Sequence, residues 1–103
     1  MELNELPGSE LILPGLEDLY HGRNNTIGSL LISIASIRLT AAGLDIPQVS
    51  LVSEPELALY NQLQIDRDDA YSYYNALLNS LNSFCAALEL NSKIISQNNH
   101  ALR

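Results

Sequence analysis

A chain of 103 residues can bury one modest core, and at 47% hydrophobic with only 17% charged it is too apolar to remain disordered. Its net charge of -7, with Arg23, Arg38, Arg67, Lys93 and Arg103 scattered along the chain, repels phosphate backbones and disfavours nucleic-acid binding. A lone Cys85 cannot form an intrachain disulfide, no Cys/His cluster offers a zinc site, and a cytoplasmic location is expected.

The first residues are acidic where a secretory leader is basic, and no apolar run follows before Pro7. Pro7-Gly8 and Pro14-Gly15 punctuate 1–15 with turn signals, which predicts an irregular N-terminal arm, followed by a short helical turn over 16–20. His21-Gly22-Arg23-Asn24-Asn25 reads as a turn. It combines an imidazole, a guanidinium and amides, so anion binding is an alternative role, and Asn25 is the expected N-cap of the next helix.

From Thr26, Ile27, Leu30, Ile34, Ile37, Ala41 and Leu44 recur in steps of three and four, which predicts a helix over about 25–43 closed by a left-handed Gly43. A second apolar set, Leu31, Ile32, Ala35, Leu39 and Ala42, leaves only Ser29, Ser33, Ser36 and Thr40 as a polar stripe. Such a helix must be covered on most sides. Its apolar run is well short of the ~20 residues of a membrane span, so no membrane partner is expected.

A connector over 45–52 leads to Ser53-Glu54-Pro55-Glu56, which reads as a capping box with proline in the first turn. Tyr60, Leu63, Ala70, Tyr74, Leu77, Leu81, Phe84 and Leu88 then follow one heptad-like seam, predicting a helix over 54–90. The rival is a break near 64–69, where Asp66 would cap a second helix. The polar residues at 97–103 predict a frayed tail.

The expected architecture is therefore all-α: residues 1–103 as a single small helical bundle with two long helices. No charged residue occurs over 24–37 or 70–88. Two helices and a turn are too few to cover a helix that is apolar nearly all round, so completion of the bundle by a homodimer is expected. The expected interface residues are Ile27, Leu30, Leu31, Ile34, Ile37, Tyr71, Tyr74, Leu77, Leu81, Phe84 and Leu88. Tyr60 and Tyr73 supply further ring area, and Cys85 reads as a packed thiol.

Functionally the chain reads as a non-enzymatic helical interaction or oligomerisation module, without a cofactor, open to another protein partner through its acidic 1–18 segment or its Tyr-rich helix. One alternative is a metal-dependent nucleotide- or phosphate-handling enzyme using Glu54, Glu56, Asp66, Asp68 and Asp69, although their spacing lacks the paired Glu-x-x-Glu pattern of helical pyrophosphatases. The plainer account of these acids is complementarity to helix N-termini. A second alternative is an acidic antitoxin-like partner that covers a basic surface. No phosphate-binding glycine loop, serine elbow or His-Glu-x-x-His motif is present, and His100-x-x-Arg103 does not follow the Arg-then-His order of helical ribonuclease domains.

Overall fold

A computed structural model describes residues 3–101, with side chains as far as Asn91. The described residues are all-helical: α1 (Ser9–Tyr20), α2 (Ile27–Ile34), α3 (Ser36–Ala41), α4 (Pro55–Asp66) and α5 (Ala70–Ala101), with 3-10 turns at Leu3–Glu5 and Gln48–Ser50. The long axis of 54 Å is close to the ~48 Å that a helix of α5's length spans.

Both long helices of the sequence reading are divided. The first breaks at Ala35, where the backbone turns to φ -104°, ψ 21°, and the seam loses phase there. Ile37, expected on the seam and in the interface, is consequently 87% exposed, and Leu39 is fully buried in its place. The second breaks at 67–69, as the rival reading had it, but Asp66 closes α4 and caps nothing. The backbone of α5 stays helical to Ala101, past the expected fraying at 97, because no glycine or proline interrupts it. Residues 102–103 lie outside the described residues, as do Met1 and Glu2.

The larger correction concerns residues 9–15, which form the first half of α1 instead of an irregular arm. Pro14 is tolerated inside the helix because both it and Glu10, whose carbonyl loses its donor, are exposed and open to hydration. Gly15 is not a turn residue. A Cβ on Gly15 would overlap the Gly28 backbone, and one on Gly28 would sit 2.6 Å from the Leu11 carbonyl oxygen. The two glycines thus let α1 and α2 cross at backbone contact.

With α1 present, the supply of helices suffices within one chain. Ser29, Leu30, Leu31, Ile32 and Ser33 are all buried, and five consecutive helical residues cover more than a full turn. Hence α2 is enclosed over 29–33, with α1, α4 and α5 packed against it. Around it, Ile12, Leu19, Leu39, Leu59, Leu81 and Phe84 complete the centre of the core, each worth about 1.5–3 kcal/mol of burial. The need to cover this helix, from which a dimer was inferred, is met internally.

Helix ends follow local chemistry. Gly22 (φ 78°) and Gly43 (φ 101°) terminate α1 and α3 in the left-handed conformation. The paired backbone bonds Arg23 N to Asp18 O with Gly22 N to Leu19 O, and Leu44 N to Leu39 O with Gly43 N to Thr40 O, form Schellman motifs. At α4 the expected Ser53 box does not form. Glu54 occupies the cap position at φ 51° without a side-chain bond, which displaces Ser53, while Pro55 opens the helix as expected. The connector before it buries Ile46 and leaves Val49 98% exposed.

Candidate functional site

Two arrangements bring polar and apolar groups together. The first is a clamp between α1 and α2. The Asp18 carboxylate accepts hydrogen bonds from Arg23 Nε at 3.1 Å and Nη2 at 3.0 Å, and from the Thr26 hydroxyl at 2.8 Å. Thr26, rather than Asn25, is the N-cap of α2. Its Oγ1 accepts from Ser29 N–H at 3.2 Å, and Ser29 Oγ accepts in return from Thr26 N–H at 2.9 Å. Thr26 and then Arg23 hold the Asp18 carboxyl below its ordinary value, and its charge lies at the positive end of α2. The Arg23 guanidinium, which the alternative reading of the 21–25 turn would offer to an anion, is thus engaged by Asp18. The Gln62 side chain donates to the Asn25 carbonyl at 2.7 Å, tying the turn to α4.

The second is a shallow groove of about 560 Å³ between α2–α3 and α5. Ile34, Ile37 and Ala41 form one wall, Leu78 and Leu81 the other. Its polar lining is Arg38 and Asn82, 3.4 Å apart. Arg38 also spans to α5, where Nε and Nη2 donate to the two Glu89 carboxylate oxygens at 2.8 and 2.9 Å. This bond to Glu89 raises the Arg38 pKa. Charge in the groove is therefore matched across the two helices.

The expected interface residues divide. Leu30, Leu31, Leu77, Leu81, Phe84 and Leu88 are buried inside the chain, Ile27, Ile34 and Tyr74 are half-buried, and Ile37 and Tyr71 are exposed. Tyr74 meets Tyr60 edge to face at 5.5 Å between ring centroids, and Arg67 lies 3.9 Å over the Tyr73 ring, so these rings fasten α4 to α5 and its first turn. Tyr71, at 70% exposure, is the one tyrosine of α5 left facing outward.

The acidic candidates do not meet. Glu54, Glu56, Asp66, Asp68 and Asp69 are all exposed, and among the described residues no three His, Cys, Asp or Glu side chains converge as a metal site would require. Asp69 pairs with Arg67 at 2.8 Å, which lowers its pKa. Cys85 is 1% exposed, and burial pushes its thiol up, away from nucleophilic use. Among the described residues no helix is long and apolar enough to cross a membrane.

Sequence reasoning missed the clamp, and it named Ile34, Ile37 and Leu81 for an interface without the groove they line. The clamp had a signal in Thr26-x-x-Ser29, a capping-box spacing with serine in place of the usual acid. The recess itself had no signal, because it depends on the break at Ala35, the residue type with the highest helix propensity.

The chain matches no protein-family model, no curated protein and no solved structure.

Proposed function

We propose that this protein is a non-enzymatic helical interaction module that works by self-association. The observation that carries the reading is the exposure of large apolar side chains where charge is missing. Ile37 on α3 and Tyr71 on α5 stand 87% and 70% exposed, in segments where Arg38 is the sole charged residue over 24–44 and none occurs over 70–88. Exposed apolar surface without surrounding charge is what a protein contact buries. Apart from Glu89, which Arg38 pairs on this face, and Asp18 in the clamp, the acidic residues of known burial are exposed and keep the remaining surface hydrophilic.

The reading is tested by sedimentation equilibrium of the purified chain across the micromolar range. A dimer in reversible equilibrium is expected, and a single monomeric species throughout would end the proposal. A parallel thermal-shift series with divalent cations and nucleotides is expected to give no stabilisation.

A further inference from the structure

Taking self-association as its premise, we infer that the groove between α2–α3 and α5 is the contact surface, and that its occupant is a second copy of this chain with Ile37 at the centre. Two features of this face point to that occupant.

The first is self-complementarity. Ile37 projects into solvent at 87% exposure and lines a groove walled by Ile34, Ala41, Leu78 and Leu81. A two-fold contact needs the projection and the recess on one patch, because each copy must present both to the other. Here they adjoin, so Ile37 of one copy fills the groove of the next while its own groove receives the partner's equivalent side chain.

The second is charge. Two chains of net charge -7 repel wherever their acidic surfaces meet. On this face the Arg38 guanidinium is paired in two hydrogen bonds with Glu89, and the adjoining stretch 70–88 carries no charge. It is the side on which two copies of an acidic molecule approach without like charges opposed. A basic partner, by contrast, would find its acidic counterpart on the helix ends and not in this groove.

The test is the oligomeric state of the full chain by sedimentation equilibrium, comparing Ile37→Glu and Ala41→Glu in the groove with Ile65→Glu, an 83% exposed position on α4. All three positions are exposed, and far-UV circular dichroism confirms that each variant keeps its helix content. Ile37→Glu and Ala41→Glu are expected to weaken the dimer about a hundredfold, because each buries an unpaired carboxylate, while Ile65→Glu leaves it unchanged. A wild-type dimer that both groove variants leave intact overturns this surface and leaves self-association standing. A wild-type monomer overturns both readings, as does a groove that closes only on a different protein.

Discussion

Two serines of α2 show how far one hydroxyl's surroundings decide its worth. Ser29 and Ser33 are both buried, one turn apart on the same helix. Ser29 completes the capping box with Thr26, whereas Ser33 Oγ has no hydrogen-bond partner. An unpaired buried hydroxyl costs about 1–3 kcal/mol, and a capping side chain contributes about 1 kcal/mol. Ser33→Ala should therefore raise stability by roughly 1 kcal/mol, and Ser29→Ala should lower it by about 1–2 kcal/mol. Urea denaturation of the two variants decides this, and a loss of stability in both would mean that Ser33 has a partner after all. Asp18 gives a prediction in pH. Its carboxyl lies below its ordinary value of 3.8, chiefly through Thr26 and Arg23. A group with a lowered folded pKa stabilises above its unfolded pKa, and that contribution fades as pH falls through the folded value. Asp18→Asn should thus be less stable than wild type at neutral pH, with the two melting curves converging on acidification below about pH 4. A gap that stays constant down the acid limb would show that the charge on Asp18 contributes nothing. Some acid sensitivity should survive in the variant, because Arg67 also lowers the Asp69 carboxyl.

Among the elements, the close crossing of α1 and α2 sets two effects in opposition. Replacing a mid-helix glycine by alanine gains up to ~1 kcal/mol of helix propensity, while forcing a methyl into a filled contact costs about 1–3 kcal/mol. At Gly28 the added carbon would lie 2.6 Å from the Leu11 carbonyl and 2.8 Å from Gly15 Cα. Both neighbours are backbone and cannot turn aside, so packing wins. Gly28→Ala should lose roughly 2 kcal/mol net, read as a drop in the melting temperature. A variant more stable than wild type would mean that the helices do not cross this closely. The same crossing explains which elements could be read from sequence. That the first half of 25–43 is covered on most sides was legible from its missing charges, and Gly43 closed the segment as its position implied, but the half after Ala35 buries only Leu39. That α1 does the covering was not legible, because Pro14-Gly15 has one local meaning, a turn, and acquires its other meaning only when a second glycine faces it. The break at Ala35 left no local trace at all, and it moved Ile37 from the seam to the surface. Periodicity thus named Ile34 and Ile37 without showing that Ile37 turns outward, while Leu77, Leu81, Phe84 and Leu88 were placed correctly on one buried face.

Across the whole molecule charge is segregated. Twelve acidic residues face five basic ones, yet the α3–α5 face is balanced by Arg38 and Glu89. Self-association there works against long-range repulsion and gains from burying apolar groups, so added salt should tighten it as the Debye length falls from about 30 Å to about 8 Å. Sedimentation across a salt series reads this directly, and a dimer that loosens with salt would point to contacts between unlike charges instead. The clamp at Asp18 and Thr26 bears on how the chain folds. It joins the two most intimately packed helices through a short turn fixed at both ends, so their contact is closed at little entropic cost and belongs early in folding. Substitution at Gly28 should therefore slow refolding, whereas Phe84→Ala, on the long last helix, should mainly hasten unfolding. Chevron plots would separate the two arms, and the opposite assignment would place the nucleus on α5.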